Sequence, residues 1–433
     1  MTAIAPRTTA PSHIVVSVIL DDLKARGLIQ DHTDEAALRA RLSDGPITVY
    51  CGFDPTADSL HVGNLVPLLL LRRFQDHGHR PIALAGGATG MIGDPSGRSD
   101  ERNLLDDETL DLNLEAIKGQ LASLLDIGGV AQIVDNRDWM LNKTALEFLR
   151  DVGKLITVNT MLAKESIRAR LDGEHGISYT EFSYMLLQAN DFVELFDGSG
   201  CEMQVGGSDQ WGNITAGIDM VRRRFSKPAY GLTVPLITRA DGAKFGKSAE
   251  GAVYLSPTKT LPYEFHQYFL RTDDRDAERF LLQLTLLSVE DVGVIMGTHN
   301  AAPEQRHAQS ALADAVTELI HGPAEVRKAR LAAGALFGGG DLDAEGLDAL
   351  RGIVAETSVE GSLATGDDAV VNLLVATGVC SSKGDARRTI EQGGIRVNGG
   401  RIGSASDGFS FIDGRFALVQ RGKKQRHLAV VGA

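Results

Sequence analysis

Residues 47–64 have the sequence ITVYCGFDPTADSLHVGN. An apolar run ends at Phe53, and a polar turn separates it from the next apolar stretch. This order predicts a β-strand over Ile47–Phe53 that leads through a loop into an α-helix over 62–77. Pro67 suits the first turn of that helix, because the N–H that proline lacks would have no helical partner there.

The same alternation of strand and helix continues downstream to about residue 237. Further strands are predicted over Pro81–Ala85, Gln132–Val134, Met203–Val205 and Leu232–Ile237, and further helices over 178–197 and 213–225. Such alternation is typical of an α/β fold with a doubly wound, Rossmann-like parallel sheet. Ligands bind such sheets at the carboxyl ends of the strands, so residues that follow each strand are the candidates for a site.

The composition is that of a folded protein without disulfide bonds. Apolar residues make up 43% of the chain and charged residues 23%. Cys51, Cys201 and Cys380 lie far apart, with no spacing that predicts a zinc site or a disulfide framework, so we expect a reducing, cytoplasmic location. The apolar run Ile14–Leu20 lacks the flanks of an export signal and is too short for a membrane span. It predicts a first amphipathic helix.

The net charge of −13 is unevenly distributed along the chain. Residues 371–433 contain ten Lys or Arg and four acidic residues, a net charge of +6, which leaves −19 for residues 1–370. A compact basic module on an acidic body is typical of a nucleic-acid contact. The alternative, a solvated basic face without a partner, is less favoured because the charges are concentrated in one short segment.

Two loops at predicted strand ends carry groups that suit a phosphate. His61 stands beside the start of a predicted helix, where free N–H groups favour anions, and Gly63 leaves room for a flat base. Lys244 and Lys247 flank Gly246 just beyond another strand. Taken alone, the first loop is equally consistent with a helix cap and the second with a solvated basic turn.

A polar stripe on one predicted helix indicates a polar pocket. Tyr184, Gln188 and Asp191 are spaced at i, i+4 and i+7, so they share one face of the helix over 178–197. A surface stripe is the alternative, which the surrounding apolar residues disfavour. Glycine-rich turns that follow two strands, at 86–95 and 206–213, permit a close approach to the backbone.

Together these strings resemble the class I aminoacyl-tRNA synthetases, and the chain as a whole resembles their bacterial tyrosyl members. Residues 61–64 are His-Val-Gly-Asn where the family's first signature is His-Ile-Gly-His. Residues 244–248 are Lys-Phe-Gly-Lys-Ser where its second signature is Lys-Met-Ser-Lys-Ser. Residues 371–433 also resemble the S4-type RNA-binding domain found at the C-terminus of those enzymes.

The resemblance implies an ATP-dependent ligase. It would activate L-tyrosine to tyrosyl-adenylate and transfer the tyrosyl group to the 3′ end of tRNA(Tyr), releasing AMP and pyrophosphate. Mg²⁺ would enter with ATP, no protein metal site is expected, and a homodimer is implied. Two rivals remain: a tryptophanyl member of the same family, and a non-catalytic RNA-binding protein built on a synthetase-like body.

The resemblance also implies a role for each matching residue. The predicted catalytic residues are Thr56, His61, Asn64, Lys244 and Lys247. The predicted tyrosine-binding residues are Tyr50, Asp94, Tyr184, Gln188, Asp191 and Gln210. The predicted ATP-binding residues are Cys51, Gly52, Asp54, Gly63, Gly207, Asp209, Lys247 and Ser248. The predicted tRNA-binding residues are Lys383, Arg387, Arg388 and Arg396.

A chain of 433 residues is expected to form two or three domains. Apolar residues at three- and four-residue spacing predict a helical region before the Gly-rich break at 338–340. The predicted divisions are a catalytic domain over 1–238 with a helical insertion at about 101–165, a mobile lysine signature loop and connector over 239–262, a helical anticodon-binding domain over 263–333, a linker over 334–366, and an S4-like RNA-binding domain over 367–433.

Overall fold

A computed structural model describes residues 19–96, 105–172, 176–242, 245–248, 251–337, 342–422 and 424–432. The described residues fall into two compact units. The N-terminal unit takes its residues from Met1–Thr260 and Phe269–Ile320, and the C-terminal unit from Leu261–Tyr268 and His321–Ala433.

Within the described residues, the N-terminal unit contains a six-stranded sheet. Its strands are β1 (Asp31–His32), β2 (Thr48–Phe53), β3 (Arg80–Ala85), β4 (Gln132–Asp135), β5 (Cys201–Gly207) and β6 (Tyr230–Val234). Their spatial order is β1-β6-β5-β2-β3-β4, and all neighbours are parallel except the antiparallel edge pair β1 and β6. The chain runs outward from β2 in one direction and returns to continue from β5 in the other. The doubly wound parallel fold is therefore confirmed, with its topological switch point between β2 and β5.

Helices cover this sheet and connect its strands. They are α1 (Ile19–Ala25), α2 (Glu35–Ser43), α3 (Leu65–Asp76), α4 (Gly87–Gly90), α5 (Asp107–Leu124), α6 (Arg137–Met140), α7 (Ala145–Glu147), α8 (Val158–Leu162), α9 (Glu165–Leu171), α10 (Tyr179–Ser199) and α11 (Trp211–Phe225). Asp106 caps α5 and Ser178 caps α10, each accepting a hydrogen bond from a backbone N–H of the first turn. Helix α10 ends at Gly200, whose φ of 61° suits a residue without a Cβ.

Two predictions for this unit need correction. The last strand was expected over Leu232–Ile237 but ends at Val234, because Pro235 has no N–H to donate to the ladder. The range 101–165 is not simply a helical insertion, since β4 lies within it and pairs with β3. Helix α5 is thus the crossover between these two strands, as the parallel pairing requires.

The described residues of the N-terminal apolar run, Ile19 and Leu20, are helical. Helix α1 begins at Ile19, and the rest of the predicted Ile14–Leu20 helix lies outside the described residues. Among the helices that the structure describes, each is too short or too polar to span a lipid bilayer.

The helical region beyond the sheet is shared between the two units. Its helices are α12 (Pro262–Leu270), α13 (Asp274–Leu284), α14 (Val289–Ala301), α15 (His307–His321) and α16 (Pro323–Phe337). The buried guanidinium of Arg73 on α3 donates to the carbonyl oxygens of Thr285 at 2.6 Å and Leu282 at 3.2 Å. Arg26 also donates to the Leu282 carbonyl. These bonds hold α13 on the sheet-covering helices, so residues 263–333 do not form a separate compact unit.

The described C-terminal unit is built on a five-stranded sheet with helices on both faces. Its strands are β9 (Ala355–Val359), β10 (Ile395–Val397), β11 (Gly400–Arg401), β12 (Phe416–Arg421) and β13 (Gln425–Val431), in the order β11-β10-β12-β13-β9. A short hairpin of β7 (Lys247–Ser248) and β8 (Gly251–Ala252) precedes this sheet in the chain. Helices α18 (Ala369–Ala376) and α19 (Lys383–Glu391) cover one face, while α16 and α17 (Ala344–Asp348) cover the other.

The predicted linker over 334–366 is wrong for its described residues. Strand β9 pairs in parallel with β13, and Leu347 and Leu350 are completely buried against Phe416, Leu418 and Leu428 on the sheet. The segment was misjudged because it is acidic and has few apolar residues. Those few residues nevertheless pack, together with α16, against one face of the sheet.

Leu350→Ala is predicted to destabilise the C-terminal unit by about 2–5 kcal/mol, because it leaves a cavity in a closed core. Hydrogen exchange of the β13 amides will measure the loss. Glu345→Ala, at an exposed position in the same segment, is the matched control and should change exchange little. Equal protection in both variants would restore the linker interpretation.

Candidate active site

Polar residues follow the strands on both sides of the switch point. Asp54 follows β2, Gly86 follows β3, Asn136 follows β4, and a 3₁₀ turn over Ser208–Gln210 follows β5. Because carboxyl ends of neighbouring parallel strands lie along one edge, the fold brings these residues together. Helix α10 carries its polar stripe to the same edge, as the following contacts show.

The Asp54 carboxylate joins helix α10 to the strand ends. The Tyr184 hydroxyl donates to Asp54 Oδ2 at 2.8 Å, and the Thr89 hydroxyl donates to Oδ1 at 2.8 Å. A Cβ on Gly86 would lie 2.1 Å from Asp54 Oδ1 and 2.4 Å from Thr89 Oγ1. Gly86 is therefore required for the carboxylate to occupy this position.

Asp191, two helical turns beyond Tyr184 on α10, is buried beside Tyr50. Its carboxylate accepts hydrogen bonds from Trp139 Nε1 at 2.8 Å and Asn136 Nδ2 at 3.1 Å. Burial raises the pKa of Asp191 to about 7, and these two bonds oppose the shift. Burial, followed by the charge of Asp191, raises the pKa of Tyr50 well above its usual value.

The Tyr50 hydroxyl makes no hydrogen bond with any residue that the structure describes. Tyr50 is 1% exposed, and its ring packs edge-to-face on Phe192 at 5.3 Å between centroids. A buried hydroxyl without a partner is costly, so this atom points to a polar ligand group that would complete its hydrogen bonding.

A second polar network leads from α10 to Asp94. Gln188 Nε2 donates to Gln210 Oε1 at 3.2 Å, and Gln210 Nε2 donates to Asp94 Oδ2 at 2.7 Å. The other carboxylate oxygen of Asp94 accepts from the backbone N–H of Ser96 at 2.9 Å. The predicted residues Asp94, Gln188 and Gln210 thus form one connected anionic site.

Cys51 and Asp209 lie on adjacent strand ends. Burial raises the pKa of the Cys51 thiol to about 12, so it stays protonated and can act only as a weak donor. Burial, with a smaller contribution from Asp94, also raises the pKa of Asp209. A Cβ on Gly207 would lie 2.6 Å from Asp209 Oδ1, so the backbone approaches this carboxylate closely.

The first signature loop is a capped 3₁₀ turn over Val62–Asn64 that leads into α3. His61 Nδ1 accepts from the backbone N–H of Gly63 at 3.0 Å, and Asn64 Oδ1 accepts from the backbone N–H of His61 at 3.1 Å. Because Nδ1 accepts, the proton of the neutral imidazole is on Nε2, which makes that nitrogen a donor. This geometry makes His61 a helix cap through Nδ1 and leaves Nε2 as a donor suited to a phosphate, so it is compatible with both interpretations of the loop.

The second signature loop lies against the first. A Cβ on Gly246 would be 3.1 Å from Val62 Cγ2 and 3.6 Å from the backbone nitrogen of Gly63. The Gly246 carbonyl accepts from Val253 N, and the Val253 carbonyl accepts from Val62 N at 3.0 Å. Two loops nearly two hundred residues apart in sequence therefore meet, and their convergence on one triphosphate stays a prediction.

Part of the second signature cannot be placed. Lys244 lies outside the described residues, and Lys247 and Ser248 are described only as backbone in β7. Phe245 is buried and packs on Phe280 at 5.0 Å between ring centroids. This aromatic contact anchors the loop beside Gly246.

Four residues that the motifs did not predict support the site. Asn136, Trp139, Thr89 and Asn213 each donate to a predicted site residue. The position of Asn136 directly after a predicted strand was an available signal. Trp139 gave no such signal, because its contact depends on the tertiary packing of α6 beneath α10.

The four basic residues predicted to contact tRNA are exposed on the C-terminal unit. Lys383, Arg387 and Arg388 lie on α19, and Arg396 lies on β10. Arg387 pairs with Asp368 at 2.6 Å, whereas the nearest acidic oxygen to Arg388, on Asp385, is 3.9 Å away. Positive charge thus remains available to an external partner on α19.

Proteins of similar sequence show the family to which this chain belongs. A family model described as tRNA synthetases class I (W and Y) matches residues 42–338. The chain is 54% identical to the tyrosine–tRNA ligase of Opitutus terrae, covering 94% of this chain and 98% of the relative, and 48% identical to that of Bacillus caldotenax, covering 95% and 99%. The chain belongs to the class I tRNA synthetases.

A solved structure and a second family model also match this class I synthetase. A C-terminally truncated mitochondrial tyrosyl-tRNA synthetase from Aspergillus nidulans superimposes with a TM-score of 0.67 and 32% identity, over 74% of this chain and 94% of that one. A model described as the tyrosine–tRNA ligase SYY-like C-terminal domain matches residues 355–429. That match begins at β9, in agreement with the corrected C-terminal unit.

Trp139→Phe is predicted to raise the pKa of Asp191 above about 7, because the indole N–H bond lowers this pKa and the variant removes it. Carbon-13 NMR titration of aspartate-labelled synthetase will measure the shift. Trp211→Phe, the other tryptophan substitution that the chain allows, is the control and should leave the titration in place. A lower pKa in Trp139→Phe would contradict the assigned hydrogen bond.

Proposed function

We propose that this synthetase activates L-tyrosine with ATP and transfers the tyrosyl group to the 3′ end of tRNA(Tyr), releasing AMP and pyrophosphate. The observation that carries the proposal is the buried Tyr50 hydroxyl beside Asp191. These two groups suit the substrate phenol, which can donate to a carboxylate and accept from a hydroxyl. The high identity to tyrosine–tRNA ligases over nearly the whole chain supports the same assignment.

The other end of the substrate would bind the second network. Asp94 supplies negative charge, and Gln188, Gln210 and Tyr184 supply oxygen atoms in a small buried region. A primary ammonium group donates three hydrogen bonds and carries the complementary charge. Phenol and ammonium sites on one face of α10 fit the tyrosyl member of the family better than the tryptophanyl one, because indole has a single N–H donor and no hydroxyl.

The two signature loops would hold ATP on the remaining side. His61 Nε2 and the Thr56 hydroxyl would donate to phosphate oxygens, with Lys244 and Lys247 supplying positive charge from the second loop. Asp209 and Cys51 would contact the ribose. The adenine base of ATP would lie over the backbone at Gly63. Further ATP contacts are proposed for Gly52, Asp54, Gly63, Asn64, Gly207 and Ser248. Mg²⁺ would arrive as part of the substrate MgATP, held mainly by phosphate oxygens.

The chemistry then depends on positioning and charge rather than on a general base. The tyrosine carboxylate is ionised at neutral pH, so it can attack the α-phosphorus directly while pyrophosphate leaves on the opposite side. Donors fixed around the five-coordinate phosphorus stabilise the charge that develops there. The tRNA hydroxyl subsequently attacks the carbonyl carbon of the adenylate, and AMP is the leaving group.

A homodimer is the proposed assembly. Leu141, Leu146, Leu149 and Val158 are each more than half exposed, and they lie in one stretch of the chain between β4 and α9. An exposed group of large apolar side chains is typical of a protein interface. This stretch overlaps the range in which sequence analysis expected the dimer contact.

Tyrosine-dependent exchange of pyrophosphate into ATP tests the proposed activity. Exchange is expected with tyrosine and not with tryptophan or phenylalanine, since neither can satisfy Tyr50 and Asp191 together. Exchange driven by tryptophan would favour the tryptophanyl rival. A folded protein without exchange would favour the non-catalytic RNA-binding rival.

Tyr50→Phe sharpens this test. Removing the hydroxyl should lower kcat/KM for tyrosine by about 3- to 10-fold, the range of one neutral hydrogen bond, without lowering it for phenylalanine. The matched control is Tyr230→Phe, at another largely buried tyrosine on β6. Unchanged selectivity between the two amino acids would remove Tyr50 from the phenol site.

Four exposed basic residues of the C-terminal unit are proposed to bind tRNA(Tyr): Lys383, Arg387 and Arg388 on α19, and Arg396 on β10. Replacing both Lys383 and Arg388 by Ala should weaken tRNA binding and reduce its salt dependence, with a slope lower by about 1 for each lost phosphate contact. Pyrophosphate exchange should be unaffected. Asp413→Ala, an acidic surface position in the same unit, is the control. An unaltered salt slope would place the tRNA contact elsewhere.

A further inference from the structure

Asn213 occupies a position from which it contacts both glutamines of the ammonium site. It is the third residue of α11 and is 7% exposed. Its Nδ2 donates to Gln188 Oε1 at 3.0 Å and to Gln210 Oε1 at 3.3 Å, with a longer contact to Ser96 Oγ at 3.5 Å. The buried amide group of Asn213 therefore donates to the side-chain oxygens of Gln188 and Gln210, which are also hydrogen-bonded to each other.

These contacts give the amides a direction. A glutamine side chain can present either its oxygen or its NH₂ group to a neighbour, and its surroundings decide which. Because Asn213 donates to Gln188 Oε1, Gln188 turns its NH₂ group towards Gln210 Oε1. Gln210 in turn directs its NH₂ group at Asp94 Oδ2. The donors thus run in one sense from Asn213 to the carboxylate of Asp94.

The opposite direction would disrupt the anionic site. If Gln210 were reversed, its carbonyl oxygen would face the Asp94 carboxylate, and two acceptors would be in contact without a proton between them. Acceptors in contact at a partly buried site repel each other more strongly than in water, because less solvent screens them. Asp94 would then turn away from the place where an ammonium group is proposed to bind.

We infer that Asn213 is a positioning residue for the substrate ammonium group, acting by orienting the amides of Gln188 and Gln210 towards Asp94. This inference rests on the proposed function and extends it by one residue. Asn213 itself need not touch the substrate. Its loss should affect ligands that carry an ammonium group and spare those that do not.

Asn213→Leu is the test, since leucine has the same branched side-chain shape, with two methyl groups in place of the amide oxygen and nitrogen, and no donor. The KM for tyrosine in pyrophosphate exchange should rise about tenfold, the effect of one hydrogen bond within a charged site, while the KM for ATP and the maximal rate stay within about twofold. Inhibition by tyrosinol, which keeps the ammonium group, should weaken equally. Inhibition by 3-(4-hydroxyphenyl)propionate, which lacks that group, should not change.

Two further variants separate orientation from simple damage. Thr215→Val changes a residue two positions after Asn213 on α11. It removes a hydroxyl that does not bond the glutamines, so it should leave the KM values, the maximal rate and both inhibition constants unchanged. Asn213→Ala removes the donor without requiring a branched side chain to fit, and it should show the same selectivity for ammonium ligands as Asn213→Leu.

The outcomes distinguish this inference from the proposed function. If wild-type protein exchanges pyrophosphate with tyrosine but neither folded variant raises its KM, the role of Asn213 is wrong and the proposed function stands. An equal loss of affinity for tyrosinol and the propionate would likewise overturn the role, because it would indicate general damage to the pocket. Wild-type protein without tyrosine-dependent exchange would overturn the proposed function itself.

Discussion

The hydrogen bond from Tyr184 to Asp54 ties helix α10 to the carboxyl end of β2, and the arrangement of the site depends on it. Helix α10 carries Tyr184, Gln188 and Asp191 along one face. Fixing Tyr184 therefore also fixes the positions of the other two side chains relative to the sheet. The glycine at position 86 makes this possible, because any Cβ there would occupy the space of the carboxylate. The absence of a side chain at the residue after β3 thus permits the contact between α10 and the end of β2.

Burying the carboxylate of Asp191 beside Tyr50 lowers the stability of the folded state. Burial raises the pKa of Asp191 from a model-peptide value of 3.8 to about 7, so the folded state retains a proton that the unfolded state has released. Its contribution to stability therefore falls as the pH rises from about 4 to about 7. The donors on Asn136 and Trp139 reduce this penalty, and a phenol in the pocket would reduce it further. The site is strained without substrate in this electrostatic sense, which favours binding.

Periodicity predicted the sheet and the polar stripe because both follow from local spacing. The alternation of apolar runs with amphipathic segments needs no knowledge of distant contacts, and residues at i, i+4 and i+7 share a face in any helix. Strand β9 could not be found in this way, since its pairing with β13 joins segments about seventy residues apart. The indole donor of Trp139 was missed for the same reason. The divisions between units failed where single buried groups, such as the Arg73 guanidinium, bond across an expected boundary.

Asn64 illustrates how a departure from a family signature can be accommodated. The family's histidine at this position can carry charge, whereas the asparagine cannot, and that raised the question of what it contributes. Its Oδ1 closes a capping box with the backbone N–H of His61, while the His61 imidazole accepts from Gly63 in return. The side chain therefore has a structural role in orienting the imidazole, independent of any charge. If His61 Nε2 donates to the phosphates as proposed, Asn64 contributes by holding the loop that carries this donor.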